Sequence, residues 1–225
     1  MGHQHVNVEA PYLDGAKEVN RAGSGEWGMG ISIAGSSNIM ITNPTTVGCW
    51  GDGIYIQNSY SGNNAVSRNI KISGHHASNC RRQGMSIISV SGITITNPIW
   101  ENIKGTSPSC GLDIEPDSGA ALLENIVVTN PITRNNAGCG ISIDLGNFPS
   151  STPKKVNISI TGHNNSKCLG NFSVFDLHLN GHTVTGAITS TNPVWDTPVS
   201  YGYANVDWDS AGPKVSVINP KIVSS

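Results

Sequence analysis

Asp113 and Glu115 lie in the run Gly111-Leu-Asp-Ile-Glu115, with Asp117 just beyond Pro116. If the run is an extended strand, Leu112 and Ile114 share its inner side. Both carboxyls then share the outer side, roughly 7 Å apart. Separations of that order suit two carboxyl groups that split a glycosidic bond, one as acid and the other as base or nucleophile. Crowding like charges also raises one of the pKa values and makes an acid available near neutrality. Arg81 and Arg82 stand in the turn Cys80-Arg-Arg-Gln83, and Asp52 in the turn Trp50-Gly-Asp-Gly53. Arginine can clamp the carboxylate of an acidic sugar in bidentate fashion. Arginine or Tyr55 could instead act as the base of a β-elimination in which cations neutralise a uronate. The residue types leave both routes open.

These side chains meet only if a repeating scaffold brings them together. Cys49, Cys80, Cys110, Cys139 and Cys168 recur at intervals of 31, 30, 29 and 29 residues, each shortly before a strand pattern. The strand patterns are Ile54-Tyr-Ile56, Met85-Ser-Ile87, Leu112-Asp-Ile114, Ile141-Ser-Ile143 and Phe172-Ser-Val174, with an earlier copy at Ile31-Ser-Ile33. A second series reads Asn38-Ile-Met-Ile41, Asn69-Ile-Lys-Ile72, Gly92-Ile-Thr-Ile95, Asn125-Ile-Val-Val128 and Asn157-Ile-Ser-Ile160. Both alternate with period two, so each strand has one core side and one outer side. Asn-Pro pairs at 43–44, 97–98, 130–131, 192–193 and 219–220 end many of the second series. Proline removes a ladder donor and asparagine bonds neighbouring backbone, which suits a corner. A period near 30 with two or three strands per turn predicts an all-β solenoid, a parallel β-helix of about six to seven coils. Stacking puts Tyr55, Gln57 and Ser86 before Asp113, and Ser142 with Asp144 after it. Glu26 and Trp27 belong to a Gly-rich loop ahead of the first regular coil, where tryptophan could stack on a sugar or cover the core. The expected divisions are an incomplete coil and loop over 1–29, a regular helix over 30–175 and looser coils over 176–225, one domain in all.

An odd number of cysteines with no CxxC pair argues against both a complete disulfide set and a zinc cluster. The thiols are expected to stack one rung apart as small buried hydrophobes. His75, His76 and His163 fall in turns and are expected at the surface. Trp195, Tyr201, Tyr203 and Trp208 gather late in the chain, as an end cap or a contact surface. Net charge is −2 and only 12% of residues are charged. Such a balance does not point to a nucleic-acid binder, which usually carries a basic stripe, and no apolar stretch is long enough for a membrane-spanning helix. The start, Met1-Gly-His-Gln-His, shows no secretory signal, so the protein leaves by another route or is a piece of a longer chain.

The runs Gly25-Glu-Trp-Gly-Met-Gly-Ile31, Trp50-Gly-Asp-Gly-Ile-Tyr-Ile56, Arg81-Arg-Gln-Gly-Met-Ser-Ile87 and Gly111-Leu-Asp-Ile-Glu-Pro116 resemble the pectin-lyase-like right-handed β-helix proteins. Within that family they are most similar to phage tailspike and bacterial polysaccharide depolymerases. The resemblance implies a right-handed helix, a polysaccharide or oligosaccharide partner, homotrimers and an extracellular or virion-associated location. It marks Glu26, Asp52, Asp113 and Glu115 as candidate catalytic residues. Arg81, Arg82, Tyr55, Trp27, Trp50, Asp144 and Asp117 are expected to bind substrate. The Asn-Thr-Asp, Asp-Asp and Gly-His-Gly signatures of polygalacturonases are absent, which disfavours that subfamily; the acidic cluster of calcium-dependent pectate lyases is absent too, so no cofactor is expected and calcium stays open without support. Two further readings stay open: an adhesin that binds sugar on this face without cutting it, and an inert spacer in a fibre.

Overall fold

The computed structural model describes residues 2–20, 23–176, 183–198, 203–207 and 212–223. The chain winds as a parallel β-solenoid with three sheets of eight, eight and seven strands. The first sheet runs from Gln4–Glu9 through Ser37–Thr42, Ser67–Ser73, Val90–Thr96, Leu123–Thr129, Lys154–Thr161 and Val184–Thr191 to Lys214–Ile218. The second is made of short strands after the asparagine corners, among them Thr45–Val47, His76–Ser78, Ile99–Glu101 and Ile132–Arg134. The third holds Ile31–Ala34, Ile54–Gln57, Met85–Ile87, Leu112–Ile114, Cys139–Asp144, Gly170–Phe175 and Ala204–Val206. Tyr201 and Trp208 lie outside the described residues.

Alternation within each strand becomes columns between strands, because parallel pairing places like positions over one another. Ile33, Ile56, Ile87, Ile114, Ile143 and Val174 form one column of the third sheet. Ile39, Ile70, Ile93, Ile126, Ile158 and Ile188 form one of the first. All are buried and belong to one continuous core. β-Branched side chains fit this pleated stack, and burying each contributes about 1.5–3 kcal/mol. At the entrance to the third sheet the turns stack so tightly that a Cβ on Gly84 would lie 2.5 Å from the Gly111 carbonyl oxygen. Glycine there is a packing requirement.

The corners work as their composition suggests. Asn43, Asn97, Asn130, Asn192 and Asn219 all take positive φ, between 50° and 52°. Asparagine tolerates this conformation better than other non-glycine residues. Their amides also bridge coils: Asn130 Nδ2 donates to Asn97 Oδ1 at 3.2 Å, and Asn219 Nδ2 to Asn192 Oδ1 at 3.3 Å.

Two expectations need correction. All five cysteines are free and buried, but they do not form a single column. Cys49 and Cys80 stack at the turn leaving the second sheet, where Arg81 N–H bonds the Cys49 carbonyl. Lys104 N–H then bonds the Cys80 carbonyl, which puts Ile103, not a cysteine, at the next step. Cys110 and Cys139 stack farther along, with Cys139 N–H donating to Cys110 Sγ at 3.2 Å. The even spacing survives because a very short link from Ile87 to Val90 is offset by a long one between Glu101 and Leu112.

His75 and His163 are not surface residues but are fully buried, each in the same relay. Trp100 Nε1–H donates to His75 Nδ1 at 3.1 Å, leaving Nε2 to face Thr46 Oγ1 at 3.0 Å. Trp195 Nε1–H donates to His163 Nδ1 at 3.1 Å, and His163 Nε2 faces Thr133 Oγ1 at 2.7 Å. An acceptor at Nδ1 fixes the neutral Nε2–H tautomer. Of these three histidines His76 alone is partly exposed, paired with Glu101 at 2.8 Å. Burial pushes the His75 and His163 pKa values down to about 3, with His76 adding to the effect at His75.

Because these folded-state values lie below the unfolded value of about 6.5, the contribution is present above pH 6.5 and is lost as pH falls toward 3. His163→Asn should therefore be less stable than wild type at pH 7.5, with the gap narrowing toward pH 4. Urea midpoints at the two pH values check this, and a constant gap would contradict it.

Candidate active site

The outer column of the third sheet runs Ser32, Tyr55, Ser86, Asp113, Ser142 and Ser173, which is the order expected from stacking. Its exposure is not as expected. Asp113 is 1% exposed, Asp52 0%, Tyr55 5% and Arg82 9%. The open acidic stripe is in fact a covered floor. Part of the cover is the segment 25–29: a Cβ on Gly51 would lie 2.5 Å from the Glu26 carbonyl oxygen, 3.2 Å from Met29 Sδ and 3.3 Å from the Trp27 carbonyl carbon. Gly51 has no side chain to hold that segment away.

Arg82 is the centre of the site. Its guanidinium lies 3.3 Å from Glu26 through Nε, 3.4 Å from Asp52 through Nη1 and 3.4 Å from Glu115 through Nη2. Three carboxylates from separate coils thus share one cation. Burial opposes its charge, but Asp52, Asp113, Glu26 and Glu115 more than offset this and hold it charged. The adjacent Gln83, which the residue-type reading passed over, fixes Asp113. Its Nε2 donates to Asp113 Oδ2 at 3.0 Å while its Oε1 accepts the Cys110 N–H at 2.7 Å.

The carboxyl groups are tuned differently. Burial pushes Asp52 up to about 6 although Arg82 pulls it back. Asp113 is held well above the usual carboxylate range by burial and by Glu115 beside it. Asp117, exposed at the rim, is also raised by the surrounding walls, with Arg82 and Tyr55 opposing. Asp52 Oδ1 and Ser86 Oγ are buried without a hydrogen-bond partner among the described residues.

Above this floor is a cavity of about 110 Å³ lined by Glu26, Trp27, Met29, Tyr55, Arg82 and Asp117, with Ile88 closing it. Trp27 is 62% exposed and meets Tyr55 edge to face at 6.2 Å. The accessible carboxyls are therefore Glu26 and Asp117, with Glu115 partly exposed, while Asp52 and Asp113 lie beneath them. Asp144 stands apart, accepting the Gly146 N–H at 2.9 Å. Trp50 and Arg81 pair with each other, guanidinium over indole at 4.2 Å, and Arg81 Nη1 donates to the Gly25 carbonyl at 2.7 Å. Among the described residues no three His, Cys, Asp or Glu side chains converge as metal ligands.

No family model matches the sequence, and no curated protein matches it. Among solved structures the chain is similar to tailspike protein gp49 from Acinetobacter baumannii bacteriophage Fri1, a capsular polysaccharide depolymerase. The TM-score is 0.55 at 15% identity over 100% of this chain. This chain spans 47% of that tailspike. The likeness is one of fold.

Replacing Arg82 by Met should raise the pKa of Asp52 further and leave buried carboxyls without their cation. Groups whose folded pKa is raised favour the folded state at low pH and lose that contribution as pH rises through the folded value. The variant should lose about 3–5 kcal/mol at pH 7.5 and clearly less at pH 5. Urea denaturation at both pH values checks this, and equal deficits would show that the carboxyls do not depend on Arg82.

Proposed function

We propose that the Arg82 cleft cleaves glycosidic bonds in a polysaccharide, with Asp117 as general acid and Glu26 as base or nucleophile. The observation that carries this reading is the pairing of two accessible carboxyls in unlike surroundings on one small cavity. Asp117 is shifted upward by its surroundings, whereas Glu26 lies against the Arg82 guanidinium. Two carboxyl groups in unlike surroundings on one cavity are the arrangement acid–base cleavage needs. Asp52, Asp113 and Glu115 then act as positioning residues that hold Arg82 in place. Trp27, exposed beside the cavity, offers a ring face on which a sugar can stack. The cavity admits a substituent or the linkage itself, with the rest of the polymer lying across the outside of the rod. The shared fold with a capsular polysaccharide depolymerase supports a surface polysaccharide as substrate and an extracellular or virion-associated setting.

Capsule, pectin and alginate fragments incubated with the protein should yield new reducing ends without the ultraviolet absorbance of an unsaturated uronide. Glu26→Gln and Asp117→Asn should each slow the reaction about 10²–10⁴-fold with little change in thermal stability. Absorbance rising with product would move the reaction to β-elimination. Saccharide binding without product, or wild-type rates in both variants, would overturn cleavage at this site.

A further inference from the structure

The outer face of the first sheet bears a groove that takes no part in the acidic cleft. At one position of each of its first five strands the backbone enters the left-handed region. His5, Asn38, Asn69, Gly92 and Asn125 have φ of 58°, 56°, 53°, 89° and 52°. The residues on either side of this position pair in register, which puts the five over one another on successive coils, roughly 4.8 Å apart. From Asn38 onward they line an open groove of about 560 Å³, with Met40, Thr94 and Val127 beside them.

The asparagine ladders of this rod all run in one direction. The amide of the later coil donates to the carbonyl oxygen of the earlier: Asn130 to Asn97 at 3.2 Å, Asn135 to Asn102 at 2.6 Å and Asn219 to Asn192 at 3.3 Å. Asn69 Nδ2 follows the rule and donates to Asn38 Oδ1 at 3.2 Å. On the next coil the ladder breaks, because Gly92 has no amide to give. Asn69 Oδ1 is left without a donor, and the Asn125 amide makes no side-chain hydrogen bond among the described residues. An acceptor and a donor thus stand two rungs apart with no side chain between them.

The break is open, not closed by a neighbour. Glycine also interrupts the corner column at Gly162, but there Asn130 Oδ1 occupies the space, 2.7 Å from where a Cβ would stand. A Cβ on Gly92 would meet only Asn69 within 4 Å, and its Oδ1 no closer than 3.5 Å. What this rung lacks is an amide, with an N–H for Asn69 Oδ1 and a C=O for the Asn125 N–H. The acetamido group of an N-acetylated sugar supplies both. Like a peptide it is planar and trans, so its N–H and C=O point in opposite directions and reach one neighbour each. Met40 and Val127, 45% and 39% exposed, offer apolar surface to its methyl and to the sugar ring.

We propose that Asn69, Gly92 and Asn125 form a binding site for the acetamido group of an N-acetylhexosamine, with the sugar lying in the groove. This deepens the proposed function and rests on its reading of a polysaccharide ligand. The site is on the first sheet and the cleft on the third, so a long polymer that engages both is held more tightly than by either alone.

Amide-detected NMR of isotope-labelled protein tests the site, with N-acetylglucosamine, N-acetylgalactosamine and N-acetylmannosamine as probes and glucose, galactose and mannose as controls. The side-chain amide signals of Asn125 are identified by their loss in Asn125→Asp. At least one N-acetylated sugar should shift them, and its parent hexose should not. Asn125→Asp keeps the shape of the side chain but removes the donor, and should weaken binding about tenfold, read from the Thr94 backbone signal. Gly92→Asn supplies the missing amide from the chain itself, in a conformation asparagine already takes on the neighbouring coils, and should abolish the response. If that variant does not fold, Asn125→Asp decides alone. No shift with any of the three N-acetylated sugars, equal shifts with the parent hexoses, unchanged affinity in Asn125→Asp, or a response retained in folded Gly92→Asn would overturn the site, whether or not the cleft cleaves polymer. A selective response at Asn125 with no polymer ever cleaved would sustain the site and remove the cleft's catalytic role.

Discussion

Each turn of this molecule must lie in register on the turn before it, because a parallel ladder leaves its backbone groups no other partner. That constraint makes side-chain identity additive along the rod. Isoleucine over isoleucine yields a continuous core, asparagine over asparagine a hydrogen-bonded corner, and glycine over glycine a contact too close for any Cβ. A slip of one residue would turn every inward side chain outward, so the apolar columns and the register enforce each other.

The same stacking concentrates charge. In a chain with few ionisable residues, it puts Arg82 among Glu26, Asp52 and Glu115, and it puts Lys17, Arg81 and Lys104 beside Trp50. The two clusters have opposite character and are separated by a single segment, 25–29. Buried polar groups draw partners from other coils, as Asp52 does from Arg82 and Asp113 from Gln83. The histidine relays show the neutral version of this rule: a buried imidazole is tolerated because tryptophan and threonine satisfy both ring nitrogens.

The proposed chemistry rests on the exposed members of the acidic cluster. Glu26 and Asp117 line the cavity while Asp52 and Asp113 lie buried beneath it, and Arg82 joins the two levels through its contacts with Glu26 and Asp52.

The sequence by itself determined the periodic part of this protein. Alternating isoleucines, recurrent Asn-Pro corners and the position of Asp113 between Ser86 and Ser142 all follow from period and register. Tertiary structure alone decided what is not periodic. The cysteine interval concealed two columns, because a short link in one place compensates for a long one in another. His75 and His163 looked like turn residues because their partners Trp100 and Trp195 are 25 and 32 residues away. The floor carrying Asp52 and Asp113 is covered by a loop that repeats nothing, so no spacing announced that Glu26 and Asp117 would be the accessible pair.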